Sequence, residues 1–210
     1  MIQIETVELS AGYSTPVLSG LNLTVNDGDY LCIIGSNGSG KSTLMRTLLG
    51  LLPPLSGKII FNVGKNEIGY VPQQNELQKD FPASVMEVVI SGCLGKCGFR
   101  PFYGKNEKNK ALEAMRKMNI SDLASMCYRE LSGGQRQRVL LARSLCAAGK
   151  IIFLDEPVAG LDPDSSSEFY RVIKELNDSG VTVIMISHDT GEALKYSNRV
   201  LELGKGNKNA

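Results

Sequence analysis

A glycine-rich segment lies between an apolar run, Tyr30 to Ile34, and a stretch with a helical pattern. It fits G-x-x-x-x-G-K-[ST]. Glycines allow backbone N–H groups to converge on phosphate oxygens, and the start of the following helix favours an anion. In this pattern the lysine reaches the β- and γ-phosphates, and the next hydroxyl binds Mg²⁺. A nucleotide site is therefore predicted at Gly35, Ser36, Asn37, Gly38, Ser39, Gly40, Lys41, Ser42 and Thr43.

Two adjacent carboxylates end a second apolar run. Ile151 to Leu154 has the composition of a buried strand, and Asp155 and Glu156 follow it directly. Ligands of open α/β sheets bind at the carboxyl ends of the strands. Asp155 is therefore a candidate for holding Mg²⁺ through water, and Glu156 for the general base that activates an attacking water. The pair could instead only cap the next element, but the phosphate loop favours the metal and base roles.

The one histidine of the sequence, His188, comes after the apolar run Val181 to Ile186. A lone histidine is often structural. Here it follows the strand that comes after the Asp155 strand, so it is expected at the same sheet edge. A neutral imidazole there could contact the γ-phosphate and orient Glu156 and the water.

The segment Leu131-Ser132-Gly133-Gly134-Gln135 has the pattern of a helix start. Ser132 is the expected N-cap and Gln135 the N3 residue of a capping box. Two glycines in the first turn lower helix propensity by about 1 kcal/mol each, which indicates that bare backbone approaches a ligand. A serine hydroxyl at a helix N-terminus is itself a receptor for a γ-phosphate. Asp162-Pro163 predicts a second helix start, with the aspartate as N-cap.

Short apolar runs alternate with helical patterns, which predicts an α/β fold with a mainly parallel sheet. Alternating apolar residues before Asn26 predict strands at the N-terminus. Helices are expected from Lys41 to about Leu49 and over Pro163 to Leu176. Residues from about 80 to 127 differ from the rest of the chain in their residue pattern. Helical spacing at Leu112 and Met115, and at Leu123, Met126 and Cys127, predicts an inserted helical subdomain there.

Composition excludes several classes of protein. Lys and Arg total 23 against 22 Asp and Glu, and this nearly neutral net charge argues against nonspecific electrostatic binding to nucleic acid. No apolar run approaches the roughly 20 residues of a membrane span. The N-terminus lacks the basic start and apolar stretch of a signal peptide. Five scattered cysteines indicate a reduced, cytosolic chain, with Cys93 and Cys97 expected as thiols in a surface segment.

In their order and spacing, these motifs resemble those of the ATP-binding subunits of ABC transporters over nearly the whole chain. The resemblance covers the phosphate loop, the segment Leu131 to Gln135 and the strand ending in Asp155-Glu156. It extends to Gly160-Leu161-Asp162, to His188 and to Gln73 within Tyr70-Val71-Pro72-Gln73-Gln74. Tyr13 lies where the family stacks an aromatic ring on adenine, although it could also be a strand-edge tyrosine.

The resemblance implies one ABC ATPase domain over residues 1–210. Its P-loop NTPase core would span 1–79 and 128–210, with a mainly parallel sheet, an N-terminal antiparallel β region and a helical subdomain at about 80–127. In the family, each ATP site is shared by two chains. One half of each site would come from one chain and the other half from a second copy. The first half would be Gly35 to Thr43, Gln73, Asp155, Glu156 and His188, and the second half would be Ser132 to Gln135 and Asp162. ATP and Mg²⁺ are the implied cofactors, with Gln73 contacting the metal.

The resemblance also implies membrane partners. Transmembrane permease subunits would hold the chain at the cytoplasmic face of the cell membrane, together with an extracytoplasmic solute-binding protein, and no nucleic acid is expected. Docking is expected at about residues 75–100, with Phe81 and Val85 exposed. Phe81 to Val85, Glu87-Val88-Val89 and Gly92 are similar to the zinc/manganese-uptake branch. The expected function is Mg-dependent ATP hydrolysis that drives import of a divalent metal. An exporter ATPase and a soluble cassette ATPase that remodels nucleic-acid or ribosomal complexes are the alternatives.

Overall fold

The computed structural model describes residues 1–73, 82–98, 102–189 and 191–204. The strands formed by these residues are β1 (Ile2–Gly12), β2 (Pro16–Asn26), β3 (Tyr30–Gly35), β4 (Ser56–Phe61), β5 (Ile68–Val71), β6 (Ile151–Asp155), β7 (Thr182–Ile186) and β8 (Arg199–Leu203). The α-helices are α1 (Lys41–Leu48), α2 (Val85–Ile90), α3 (Lys105–Lys117), α4 (Gly133–Ala147), α5 (Pro163–Asp178) and α6 (Glu192–Tyr196). Short 3₁₀ turns cover Lys65–Glu67, Ser91–Lys96, Ser121–Leu123 and Tyr128–Glu130.

The central sheet has five parallel strands in the order β5-β6-β7-β3-β8. Its strands β6 and β7 are buried along their whole length, which explains their continuous apolar composition. Successive side chains point to opposite faces, so Ile152 and Leu154 pack towards one core while Ile151 and Phe153 pack towards another. All three expected strands of this sheet, around Tyr30, Ile151 and Val183, are present.

A smaller antiparallel sheet, β2-β1-β4, covers one face of the central sheet. Its buried residues, among them Ile4, Leu9 and Val25, share a core with Leu44 and Leu48 of α1. The predicted fold class is confirmed: a parallel sheet with helices and an N-terminal antiparallel region.

Helices α2 and α3 lie between β5 and α4 and pack into the core on the other face of the central sheet. A capping box starts α2, because Ser84 Oγ accepts from Glu87 N at 3.3 Å and the Glu87 carboxylate accepts from Ser84 N at 2.8 Å. The residues at 80–127 are thus mainly helical where they are described. Their division from segments 1–79 and 128–210 as a subdomain stays a prediction.

Several expectations for this helical segment were wrong. Val85 is fully buried in the core rather than exposed, since α2 turns that side chain inwards, and Phe81 lies outside the described residues. Cys93 and Cys97 are buried thiols, not surface ones. Leu123 ends a 3₁₀ turn, and Cys127 pairs with Ser84 in an isolated antiparallel β-bridge, so no α-helix includes these residues. Within the ranges described, no helix is long and apolar enough to cross a membrane.

Candidate functional site

The predicted phosphate loop connects the end of β3 to the start of α1. Gly40 has a φ of +95°, and a Cβ there would lie 2.9 Å from Leu18 Cγ, so the position requires glycine. The Lys41 ammonium donates to the carbonyl oxygens of Gly35 at 2.8 Å and Ser36 at 3.1 Å. The buried Ser39 hydroxyl has no hydrogen-bond partner among the described residues. The loop thus curls around a lysine and leaves a polar group of its own unsatisfied, which fits a phosphate cradle.

Asp155 ends β6 at the edge of the sheet to which the phosphate loop also belongs. The side chain is buried, and Oδ1 has no hydrogen-bond partner within the part of the chain described. Burial and the neighbouring Glu156 carboxylate raise the pKa of Asp155 above its ordinary value of 3.8, while the Arg46 charge opposes this shift. A buried carboxylate oxygen without a donor fits a site for Mg²⁺ or for one of its waters.

Glu156, Gln73 and His188 come together around one carboxylate. Gln73 Nε2 donates to Glu156 Oε2 at 3.0 Å, and His188 Nε2 lies 2.5 Å from Glu156 Oε1. Glu156 has a φ of +49°, a left-handed conformation that side-chain-bearing residues rarely adopt. Its backbone N–H donates to Ile186 O of β7 at 3.1 Å, which links it to the strand preceding His188. The structure therefore brings these three predicted residues into one cluster.

Tyr13 occupies the turn between β1 and β2 and is 64% exposed. Its hydroxyl accepts from Arg46 Nη1 at 2.7 Å, across to helix α1. Val17 of the same hairpin lies against the end of the phosphate loop, because a Cβ on Gly40 would approach its Cγ1 to 3.0 Å. An exposed aromatic ring is therefore available next to the phosphate loop, as an adenine platform requires.

The remaining predicted residues form a second cluster at two helix starts. Ser132 and Gln135 make the capping box of α4, with Ser132 N donating to Gln135 Oε1 at 2.9 Å. Asp162 caps α5 by accepting from Ser165 N at 2.9 Å. The two starts touch: a Cβ on Gly133 would lie 2.8 Å from Leu161 Cδ2, and one on Gly134 would lie 3.4 Å from Ser165. In the described ranges, no hydrogen bond or ion pair joins this cluster to Gly35–Thr43.

Sequence reasoning missed Arg46, which contacts a predicted residue, and the pair Ser187 and Tyr170, which lies next to one. Arg46 reaches Tyr13, and its position four residues after Ser42, on the same face of α1, was a usable signal. Ser187 and Tyr170 meet directly beside His188, with their oxygens 3.2 Å apart. Nothing in the sequence distinguished Tyr170 from the other buried residues of α5.

The chain is similar to known ATP-binding subunits over nearly all of its length. A sequence profile of the ABC transporter family matches residues 18–159. The manganese transport system ATP-binding protein MntB of Bacillus subtilis (strain 168) is 38% identical over 209 residues, covering 97% of this chain and 84% of that protein. The zinc transport system ATP-binding protein TroB of Treponema pallidum (strain Nichols) is 35% identical, covering 95% of this chain and 77% of that protein.

Solved structures give the same assignment. The ADP conformation of MJ1267, an ATP-binding cassette of an ABC transporter, matches with a TM-score of 0.85 and 27% identity over 98% of this chain and 89% of that one. The dimeric post-hydrolysis state of the cassette MJ0796, bound to ADP and Pi, matches with a TM-score of 0.78 and 25% identity over 99% and 96%. The chain belongs to the ABC transporter family, as a nucleotide-binding subunit that hydrolyses ATP.

Proposed function

We propose that this chain, paired with a second copy, drives import of manganese or zinc by Mg-dependent ATP hydrolysis. The observation that carries the catalytic part is the contact of Glu156 with Gln73 and His188 at the sheet edge that also carries the phosphate loop. The names of two relatives support manganese or zinc as the imported ion. The chain is 38% identical to the ATP-binding protein of a manganese transport system and 35% identical to that of a zinc transport system.

ATP binding is assigned to the loop Gly35–Thr43 and to Tyr13. The loop N–H groups and Lys41 would hold the β- and γ-phosphates, and the exposed Tyr13 ring would stack on adenine. Mg²⁺ fits Ser42, Asp155 and Gln73, because the Asp155 Oδ1 atom is buried and no described residue donates a hydrogen bond to it. The ion, when bound, supplies neutralising charge to the phosphate oxygens.

Glu156 is assigned as the general base. Its carboxylate would take a proton from water while the water oxygen attacks the γ-phosphorus and the bond to the β-phosphate oxygen breaks. Gln73 and His188 hold the carboxylate from two sides, which restricts where that water can bind. His188 is also assigned to contact the γ-phosphate.

The second cluster is assigned to the ATP site of the partner copy. Ser132, Gly133, Gly134, Gln135 and Asp162 lie side by side at the starts of α4 and α5, and no hydrogen bond joins them to the phosphate loop of their own chain in the ranges described. The N-terminus of α4 offers a hydroxyl and bare backbone to a γ-phosphate. A head-to-tail, two-fold pair would then contain two equivalent sites. The dimeric state of the similar cassette MJ0796 supports this arrangement.

Separate transmembrane permease subunits, at the cytoplasmic face of the membrane, are the proposed binding partners, with an extracytoplasmic solute-binding protein in the same system. An apolar groove of about 1,020 Å³ supports a docking surface on the helical segment. It is lined within the expected range 75–100 by Ala83, Met86, Glu87, Val88, Ile90 and Ser91.

The catalytic and dimer assignments are tested with Glu156→Gln. We expect this variant to bind ATP, to lose hydrolysis by about 10²- to 10⁴-fold, and to shift from monomer to dimer in Mg-ATP. Solution mass measured with and without Mg-ATP reports the shift, and adding Ser132→Arg should abolish it. Undiminished hydrolysis by the Gln variant would exclude Glu156 as the base.

The metal assignment is tested in cells. Cells lacking this chain should take up less manganese or zinc from limiting medium, measured as total cell metal, and the wild-type chain but not Glu156→Gln should restore uptake. A rise in cell metal on loss of the chain would indicate export instead.

A further inference from the structure

A buried pair of hydroxyl groups lies directly behind His188. Tyr170 of α5 is fully buried, and its hydroxyl oxygen is 3.2 Å from the hydroxyl oxygen of Ser187, which is also buried. Ser187 is the residue between the end of β7 and His188. Burial raises the pKa of Tyr170 to about 12, so the phenol keeps its proton at neutral pH and can donate.

Ser187 fastens the backbone on both sides of His188. Its N–H donates to Ile33 O of β3 at 3.3 Å, and its hydroxyl oxygen accepts from Asp189 N at 3.0 Å. The Asp189 carboxylate in turn accepts from Gly191 N at 2.9 Å. The residues before and after the histidine are therefore fixed by a compact set of hydrogen bonds.

The imidazole itself has little packing to hold it. The His188 side chain is 46% exposed, yet its Nε2 atom lies 2.5 Å from Glu156 Oε1. A half-exposed side chain reaches such a position reliably only when its backbone is fixed. The hydrogen bonds of Ser187 are the contacts that fix this backbone.

We propose that Ser187 and Tyr170 are positioning residues of the ATPase, which set His188 against Glu156 and attach it to α5. The assignment rests on the proposed roles of His188 and Glu156. Asp162, the residue assigned to the partner's site, is the N-cap of α5, and the same helix carries the Tyr170 hydroxyl that contacts Ser187 beside His188. Movement of α5 as two copies close would then be transmitted to His188.

The experiment compares Ser187→Ala and Tyr170→Phe with the parent chain. Each variant removes one hydroxyl and leaves the packing volume nearly intact. We expect kcat for ATP hydrolysis to fall about tenfold, since small displacements of a catalytic group are costly, with ATP affinity changed less than twofold. Ser187→Thr should restore kcat. Tyr196→Phe is the matched control. The Tyr196 ring stacks on Tyr170 at 6.4 Å between centroids, but among the described residues its hydroxyl forms no hydrogen bond with Ser187.

A double-mutant cycle separates positioning from a general structural role. In a His188→Ala background, Ser187→Ala should cause no further loss of kcat, because the histidine that it positions is gone. Equal losses in both backgrounds, or unchanged kcat in the single variants, would overturn the proposal. Absence of ATPase activity in the parent chain would instead contradict the proposed function itself.

Discussion

At the residue scale, Glu156 is held in a conformation that its residue type disfavours. Its φ of +49° is of the kind that costs of order 1–3 kcal/mol, and such strain persists only where surrounding contacts enforce it. Here the contacts are the N–H bond to β7 and the two side chains on the carboxylate. These contacts hold the carboxylate at the sheet edge that also carries the phosphate loop.

The raised pKa of Asp155 predicts a stability effect that depends on pH. A carboxyl whose pKa is higher in the folded chain binds its proton more tightly there, so its ionisation destabilises the fold. This penalty grows as pH rises from the ordinary value of 3.8 through the raised one and is complete at neutral pH. We expect Asp155→Asn to raise the Tm of the nucleotide-free chain at pH 7.5, with a smaller gain towards pH 4, in thermal unfolding followed by circular dichroism.

Asp122→Asn is the control for this prediction, because Asp122 is exposed and lies on the 3₁₀ turn after α3. It should leave Tm nearly unchanged. A lower Tm for Asp155→Asn than for the parent at pH 7.5 would show that the ionised carboxylate stabilises the fold.

Arg46 predicts a separate effect on ATP affinity. Its hydrogen bond to the Tyr13 hydroxyl holds the exposed Tyr13 ring in place. Because each change removes this hydrogen bond, Tyr13→Phe and Arg46→Met should each raise KM for ATP about threefold at unchanged kcat. The two changes should not add in the double variant. Steady-state kinetics give both constants, with the exposed Arg116→Met as control. An effect of Arg46→Met alone would mean that the guanidinium contacts the nucleotide directly.

At the element scale, the packing of the helical segment against α4 depends on a position without a side chain, Gly92. A Cβ on Gly92 would lie 2.1 Å from the carbonyl oxygen of Arg143 in α4, whereas one on Gly95 would meet no atom of the described residues within 4 Å. Both glycines belong to the same 3₁₀ turn, Ser91–Lys96. The pair therefore offers a matched test of this packing.

Gly92→Ala should lower the free energy of unfolding by about 1–3 kcal/mol or more, because the backbone of α4 cannot move aside cheaply. Gly95→Ala should be within about 0.5 kcal/mol of the parent. Urea unfolding measures both. Equal stability of the two variants would mean that the turn shifts away from α4 without cost.

At the whole-molecule scale, the two clusters of candidate residues predict that defective chains can complement each other. Lys41→Ala disables one half of a shared site and Ser132→Arg the other half. In a mixed pair both defects fall in one site, and the second site is intact. Random mixing should restore up to about one quarter of the parent ATPase activity, since half of the pairs are mixed and each has one intact site.

The measurement is the ATPase rate of the mixture against each variant alone at the same total concentration. Lys41→Ala mixed with a second phosphate-loop variant, Gly40→Ala, is the control and should regain nothing. If the mixture of Lys41→Ala and Ser132→Arg also regains nothing, the two halves do not belong to one shared site.

The sequence alone predicted the fold class and the candidate site residues, Tyr13 and Gln73 through the family resemblance only. The phosphate loop, the strand ending in Asp155-Glu156 and the caps at Ser132 and Asp162 could be predicted because each depends on local geometry: a tight turn, a buried strand or a helix start. Only the tertiary structure decided which of these residues contact each other. The Gln73 and His188 contacts to Glu156, the Arg46 bond to Tyr13 and the Tyr170–Ser187 pair join residues far apart in the chain. The burial of Val85 and Cys93 also depended on how α2 and the turn after it pack on α4, and residue type does not encode that docking.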